Sequence, residues 1–486
     1  VPDPATPDLE AVARNIFTHA LDDCSIDRAF ARIVRSTATP AGTHLLLQDE
    51  PVCNLDRLRQ VRIIAAGKAA AAMLASLVER LPLPPGIDLT GILVAPQQPR
   101  SLPRDIQFFA GGHPLPNPSS FAAARAALAM VQAVSARPAE EALCIFLLSG
   151  GASAMMELPL DPSISLEDTI AFHQALVHCG ASIVEINCVR KHFSAVKGGR
   201  LAIAAGNAQK ITLLVSDVPP QHLDALASGP TTADPTTVAE CREIIARYNL
   251  LPRFPASVRC FFESPTLPET PKPAVLASRS WKLADSSDLA NAARTHAESL
   301  GFHTVIDNTC DDWPCETAAD YLLDRLRQLR QAHPRLCLIS TGEVTVQVPS
   351  AASHAYAQGG RNQHFALYTT TRLLPDDAPI AVLSAGSDGI DGNSPAAGAV
   401  INHQTAHQTA QQTLAPSASG HIGEPSGEPS RASAAQALAA YDSFPWLDAR
   451  GATIVTGPTG HNLRDLRILL SGSPLDHRQS AIRDRL

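Results

Sequence analysis

Short apolar runs recur along the chain, each breaking into a Gly-rich or polar turn and then into a helical pattern. That rhythm leaves few folds open. The runs are Val61–Ala65, Gly91–Ala95, Cys144–Leu148, Ile211–Val215, Ala274–Ala277, Leu336–Ile339, Ala381–Ser384 and Thr453–Val455. Most are apolar throughout instead of alternating, as expected of parallel strands covered by helices on both faces. Between them the spacing predicts helices over Ala69–Arg80, Ser120–Ala136, Ser165–Cys179, Asp288–Leu300 and Cys315–Ala332, which fit βα crossovers. Residues 9–34 read as an amphipathic helix or helix pair. The expected class is α/β, with α/β/α layers around mainly parallel sheets.

At 486 residues the chain exceeds an ordinary domain of roughly 100–200, so two domains are expected. A proline-rich stretch, from Leu251 through Pro265, Pro268, Pro271 and Pro273, is the expected joint, because proline stiffens a connection and disrupts sheet pairing. It separates a domain over 9–250 from one over 274–475, with 251–273 between them. A second stretch, Ala415–Ala434, is rich in Ser, Gly and Pro and reads as a mobile loop. Hydrophobic residues make up 45% and charged residues 18%, which suits a large buried core. The net charge of −8 gives no electrostatic footprint for a nucleic-acid binder. The opening VPDPATPDLE lacks the basic and apolar regions of a secretory leader, and no apolar run approaches the roughly 18 residues of a membrane span. Ten cysteines form no C-x-x-C pair, so no structural zinc site is visible and free thiols in a cytoplasmic, reducing setting are expected.

In parallel sheets ligands bind beyond the carboxyl ends of the strands, and here those ends are rich in small and functional residues. After Val61–Ala65 come Gly67, which allows a tight turn, and Lys68 in the first turn of the next helix. A cation at a helix N-terminus works against the helix dipole unless an anion binds there; the alternative is a solvated surface lysine. After Cys144–Leu148, Ser149-Gly150-Gly151-Ala152-Ser153 offers exposed N–H groups and hydroxyls that suit phosphate or carboxylate oxygens. Arg190, Lys191, Lys197 and Arg200 form a basic cluster in an acidic protein, either a solvated helix face or an anion site. Only 6 of the 39 basic residues are lysine, and Lys68, Lys191 and Lys197 all lie in these blocks. Asp217 follows Ile211–Val215, a usual place for a magnesium ligand or a base, with a turn-capping aspartate as the alternative. The second half adds Ser340-Thr-Gly-Glu343, Gly359-Gly-Arg361-Asn362-Gln, Asp388-Gly-Ile-Asp391-Gly and Thr456-Gly-Pro-Thr-Gly-His-Asn462. No G-x-x-x-x-G-K-[ST] and no G-x-G-x-x-G after a strand occur, which excludes a P-loop enzyme and weighs against a standard dinucleotide site. His173 and His178 stand five apart, the wrong spacing to share a metal, and read as structural.

Taken together, Ala65-Ala-Gly-Lys-Ala, Gly111-Gly-His-Pro-Leu-Pro-Asn, Leu148-Ser-Gly-Gly-Ala-Ser-Ala, the block from Asn187 through Arg-Lys-His-Phe-Ser-Ala-Val-Lys-Gly-Gly-Arg, Ser228-Gly-Pro-Thr, Gly359-Gly-Arg-Asn-Gln and Asp388-Gly-Ile-Asp-Gly resemble the class II glycerate 2-kinases, in consistent order from about residue 9 to 470. The resemblance implies an N-terminal α/β domain, a C-terminal MOFRL domain and an active site in the cleft between them. It implies transfer of a phosphoryl group from ATP to D-glycerate, giving 2-phosphoglycerate with Mg²⁺ as cofactor. A homodimer remains open as an assembly. Some members of that family carry the label hydroxypyruvate reductase, so an NAD(P)H-dependent reductase is the alternative enzyme, and a weakened, metabolite-binding member is a third reading. Carried over by motif, the proposed catalytic residues are Lys68, Asp217 and Arg361. Gly67, Ser149–Ser153, Arg190, Lys197 and Asn362 are expected to hold substrate or phosphate, and Asp217, Asp388 and Asp391 the metal. The chain departs from the family pattern at Pro220-Gln-His, Asn393-Ser-Pro, His364 and His461, so two or three acidic residues are missing near the expected metal.

Overall fold

The computed structural model describes residues 8–216, 226–276, 279–348, 357–377, 379–407 and 433–472. It divides into two compact units: Ile26–Asp285 with Gly460–Asn462, and the remainder, comprising the chain before Ile26, Ser286–Thr459 and the chain from Leu463 onward. The expected helix pair is real but split between units. Leu9–Asp23, capped by the Asp8 side chain, belongs to the second unit, and Ile26–Ile33 opens the first.

The first unit begins with a small antiparallel sheet, β1 (Val34–Thr39), β2 (Gly42–Leu47) and β3 (Glu50–Asn54). β1 carries no apolar signal in the sequence, since five of its six residues are exposed. Six further strands follow: β4 (Gln60–Ala66), β5 (Asp88–Ala95), β6 (Ile106–Ala110), β7 (Ala142–Ser149), β8 (Gln209–Val215) and β9 (Arg279–Ala284). They build one sheet in the order β6-β5-β4-β7-β8-β9, with every neighbouring pair parallel. Counted along the chain this order is 3-2-1-4-5-6, the doubly wound arrangement whose winding reverses between its two central strands. That reversal falls between β4 and β7. All eight residues of β7 are buried, as a central strand covered on both faces requires. Ile64, Val94, Phe146 and Leu148 pack in one core with Ala123, Ala124 and Ala127 of the helix Pro118–Gln132.

Two expectations change in this unit. Ala274 and Val275 lie in a turn and Ala277 lies outside the described residues; the sixth strand is β9, an edge strand whose exposed Arg279 and Ser280 hid it. The proline-rich residues 251–273 do not lie where the chain passes between units, which is at Asp285/Ser286. Instead they fold into the first unit. Pro255 precedes a helix, Ala256–Glu263, and Phe254, Val258, Phe262 and Leu267 are buried with Phe172, Phe193 and Leu176. Phe262 stacks within 5.9 Å of Phe172 and 6.3 Å of Phe193. Here the prolines punctuate a packed element.

The second unit contains β10 (His303–Ile306), β11 (Leu336–Gly342), β12 (Ile380–Gly386), β13 (Gly398–Asn402), β14 (Thr453–Ile454) and β15 (Asp465–Ser471), in the order β10-β11-β15-β12-β13-β14. Only β10 and β11 are parallel; the other four pairings are antiparallel. The α/β class holds for both units, but the expected mainly parallel pairing holds for the first sheet alone. β15 inserts between β11 and β12 and is wholly buried, with Asp465 and Arg467 inside it. Those two charges masked it as a strand. The helices Cys315–Leu329 and Arg361–Thr370 pack with this sheet through Leu322, Leu323, Phe365 and Leu367. Most of the segment Ala415–Ala434 lies outside the described residues.

Phe262→Ala should destabilise the first unit by about 3–5 kcal/mol, the usual cost of removing a buried aromatic ring. Denaturant unfolding followed by the signal of Trp281 on β9 would measure this. A change near zero would mean that the proline-rich stretch is a loose connection after all.

Candidate active site

The carboxyl ends of β4 and β7 meet at the reversal point. Gly67 has φ +122°, and a Cβ there would lie 2.6 Å from the Ser149 carbonyl oxygen, so only glycine fits. The close approach lets Lys68 N–H donate to the Gly150 carbonyl oxygen at 2.9 Å, and Ala69 N–H to Ser149 Oγ at 3.0 Å. The Ser149 hydroxyl thus serves as an acceptor in the turn. The Lys68 side chain is exposed and has no hydrogen-bond or ion-pair partner among the described residues.

Beside this turn lies a pocket of about 260 Å³, lined by His113 and Pro114 beyond β6, Gly151, Ser153 and Ala154 beyond β7, Asn187 and Arg190, His173, and Ser228. Asn187 and Arg190 stand three apart on the helix Ile183–Phe193, so they share a face. That helix starts at a capping box formed by Ser182 and Glu185. The Ser228 hydroxyl donates to Asn187 Oδ1 at 3.0 Å, and Ser153 Oγ lies 2.9 Å from Ser228 Oγ. With Asn187 Oδ1 engaged, its amide N–H groups remain for the pocket. The Arg190 guanidinium has no hydrogen-bonded or ion-paired partner among the described residues, and its Nε is buried and unsatisfied. Burial holds the Arg190 pKa below its ordinary value, partly offset by the charge of Glu157. One wall of the pocket is thus made of donors, which suits an oxygen-rich anion.

The rest of the expected basic cluster is spent. Lys197 is fully buried and paired with Glu157, so it does not line the pocket as anticipated. Glu157 also accepts from His173 Nε2 at 3.0 Å. Although burial opposes ionisation, the Lys197 charge and the two hydrogen bonds bring the Glu157 pKa down to about 2. Burial pushes His173 down to about 4, against the pull of Glu157. Lys191 pairs with Asp234 at 3.3 Å, and Arg200 donates to the Lys191 carbonyl oxygen at 2.6 Å. Ala152 begins the four-residue helix Ala152–Met155 and contributes only backbone.

Asp217 lies outside the described residues. The remaining expected residues belong to the second unit. Arg361 opens the helix Arg361–Thr370 and grips Asp465 with two hydrogen bonds, at 2.6 and 3.0 Å, while Nη2 meets Glu343 at 3.0 Å. Burial works against this charge, but the carboxylates more than compensate and raise its pKa. Asn362 is buried; its Nδ2 donates to Asp391 and its Oδ1 accepts from Ser384 at 2.7 Å. It holds no external group.

Asp391 does not fit as a metal ligand. Its Oδ1 accepts from Asn362 N–H and its Oδ2 from Gln363 N–H and Nε2, so both oxygens cap the start of the helix. Burial raises its pKa to about 6 despite these bonds. Asp388 Oδ1 accepts from Ile390 N–H in a local turn. Among the described residues the one cluster of three metal-ligating side chains is Cys188, His192 and Cys241, and no three carboxylates gather in this way. His113, Asn187 and Ser228 are the pocket residues that sequence reasoning quoted in motifs but did not assign. The three-residue spacing of Asn187 and Arg190 is the signal that could have found Asn187.

Residues 12–263 match the family described as a domain of unknown function (DUF4147), and residues 336–465 match the MOFRL family. A D-glycerate 2-kinase of Thermotoga maritima is 32% identical over 86% of this chain and 91% of its own. A protein of Agrobacterium vitis with a provisional hydroxypyruvate reductase name is 34% identical over 84% of this chain and 87% of its own. The crystal structure of a glycerate kinase from Thermotoga maritima superposes with a TM-score of 0.77 at 29% identity, covering 96% of this chain and all of that one. The chain belongs to the class II glycerate kinase family. Family membership accounts for the pairing of a doubly wound unit with a MOFRL unit. No helix among the described residues is long and apolar enough to cross a membrane.

The buried triad makes the first unit acid-sensitive. Unfolded His173 takes up a proton around pH 6.5, whereas the folded one resists until about 4, so stability is lost as the pH falls through that window. Glu157 adds a further loss between about 4.5 and 2. The unfolding midpoint should therefore fall steadily from pH 6.5 to 4, and His173→Gln should flatten that slope. An unchanged slope in the variant would contradict the assignment.

Proposed function

We propose that this chain transfers the terminal phosphoryl group of ATP to the 2-hydroxyl of D-glycerate. The donor wall formed by Arg190 and Asn187, next to the unpaired Lys68, carries the proposal. Glycerate is a small carboxylate with two hydroxyls. The Arg190 guanidinium is matched to its carboxylate, and Ser153 and Ser228 to its hydroxyls. Lys68 stands at the reversal point of the sheet, where a free ammonium meets phosphoryl oxygens. Phosphoryl transfer depends on positioning and charge neutralisation more than on a nucleophilic side chain, and these groups provide both. Arg361, in the second unit, carries a charge already balanced by Asp465 and Glu343.

His113 is the pocket imidazole not engaged by a carboxylate. Partial burial and the Lys68 charge hold its pKa below 6.5, so it is neutral at neutral pH and able to take the hydroxyl proton. Asp217 is the other group available for that role. The resemblance also implies Mg²⁺. Asp391 is committed to its helix start, so the ion would depend mainly on the nucleotide's own phosphates, with Asp217 the carboxylate the resemblance offers beside this pocket.

Reduction of hydroxypyruvate by NADH is favoured by one observation, the 3-2-1-4-5-6 strand order shared with dinucleotide-binding sheets. The glycine fingerprint such a site needs is missing after β4, where Lys68 stands instead. Incubation with ATP, Mg²⁺ and D-glycerate, read by ³¹P and ¹³C NMR, should give 2-phosphoglycerate and ADP. NADH oxidation with hydroxypyruvate and no ADP would overturn the proposal. Lys68→Ala should lower kcat by about 100-fold or more, the usual loss of a charge-stabilising donor. Arg190→Met should raise the KM for glycerate about 10–100-fold and leave that for ATP nearly unchanged. If His113 is the base, kcat/KM falls below pH 6.5 and His113→Asn abolishes that limb; a limb that persists assigns the proton to Asp217.

A further inference from the structure

A second group of side chains on the helix Ile183–Phe193 takes no part in the pocket. Cys188 and His192 stand four apart and share a stripe, and Cys241 reaches them from the neighbouring helix Val238–Arg247. One ligand atom from each lies within 4.8 Å of the other two, and all three residues are buried. His192 Nδ1 is fixed 2.9 Å from the Cys188 carbonyl oxygen. With that nitrogen donating its proton, Nε2 carries the lone pair, and it is buried with no hydrogen-bond partner. A Glu269 carboxylate oxygen lies 3.8 Å away from it. An imidazole nitrogen left unsatisfied in the interior beside two thiols is costly unless something binds it.

We propose that Cys188, His192 and Cys241 bind a zinc ion. Two thiolates and an imidazole are a zinc donor set and a poor one for magnesium, which takes hard oxygens. Bond lengths of about 2.0–2.3 Å place tetrahedral ligand atoms roughly 3.3–4 Å apart, so the observed cluster closes around the ion with a shift of about 1 Å. The Cys188 carbonyl that orients the ring is the kind of outer partner metal-bound histidines use. Glu269, whose Oε2 is now paired with Lys272 at 3.0 Å, is the carboxylate placed to complete the fourth position. The ion pins the helix bearing Asn187 and Arg190 to the helix Val238–Arg247, so its role is structural and distinct from any magnesium brought by the nucleotide. A search for C-x-x-C pairs misses this site because one ligand pair is Cys-x-x-x-His on a helix and the third ligand comes from far downstream.

The test uses the full chain, purified under reducing conditions without chelator, and reads no enzyme turnover, so it stands or falls apart from the kinase proposal. Elemental analysis should find about one zinc per chain, retained in Cys260→Ser, whose thiol is exposed, and below about 0.1 in Cys188→Ser and Cys241→Ser. A strong chelator should lower Tm by several degrees, and added Zn²⁺ should restore it. Because the serine variants could fail to fold, Co²⁺ loading of the unmodified chain gives an independent readout, a thiolate-to-cobalt charge-transfer band. A reduced chain that takes up neither Zn²⁺ nor Co²⁺ would overturn the proposal. So would a Cys188–Cys241 disulfide found by mass spectrometry after anaerobic purification.

Discussion

Two hydrogen bonds join the ends of β4 and β7, from Lys68 N–H to Gly150 and from Ala69 N–H to Ser149 Oγ, and the arrangement of the first unit's pocket follows from them. They form only because Gly67 brings the two backbones closer than a Cβ allows. With the turn closed, the Lys68 side chain has nowhere to go but outward. The Gly150–Ser153 segment is held in place next to it, so that Ser153 reaches the pocket and meets Ser228. A doubly wound sheet makes such a juxtaposition available at one place only, where its winding reverses. The strands supply the position, and a glycine and a serine hydroxyl convert it into a site.

Charge pairing then separates the residues that hold the fold from those left for a ligand. Lys197, Lys191 and Arg361 each carry a carboxylate partner, and Lys68 and Arg190 carry none among the described residues. Buried pairs roughly break even against apolar packing, because desolvation cancels much of the attraction, but removing one partner is expensive. The Glu157–Lys197–His173 triad therefore fixes geometry more than it adds stability. An unpaired, half-buried guanidinium is different. It bears a desolvation penalty that Glu157 offsets only in part and an incoming anion relieves further, and a whole-chain net charge of −8 makes that local positive wall more distinct.

Four strands of the first unit's parallel sheet, β4, β5, β7 and β8, were legible because they are continuously apolar, and the turns after β4 and β7 because glycine and lysine there are hard to explain otherwise. β1, β2, β3, β6, β9, β10, β13 and β15 were not read as strands. β1 and β9 expose polar residues at an edge, and β15 buries Asp465 and Arg467 in ion-pair and carbonyl contacts that only tertiary structure supplies. Proline content misled for a related reason, since the stiffness that suits a linker also suits the entry to a packed helix such as Ala256–Glu263. Among site residues, sequence alone distinguishes a basic block from a neutral one but not Arg190 from Lys197. That choice depends on whether Glu157 sits opposite, across a helix and a turn.

The acidic residues expected from the family pattern and missing here need not mean missing negative charge. After Gln363 the pattern calls for a glutamate, and this chain has His364. Its Nε2 lies 3.3 Å from Glu316 on the helix Cys315–Leu329, so a carboxylate reaches the same spot from a different element. Burial holds the His364 pKa down, with Glu316 opposing, so the imidazole adds little positive charge of its own at neutral pH. At the same helix start, the Asp391 carboxylate accepts four N–H bonds from Asn362 and Gln363. The beginning of the helix is thus surrounded by carboxylates supplied by Asp391, Glu316, Glu343 and Asp465, and Arg361 sits among them. The helix N-terminus and Arg361 are both positive, so these carboxylates neutralise both, which is why Arg361 can project from a first turn at all.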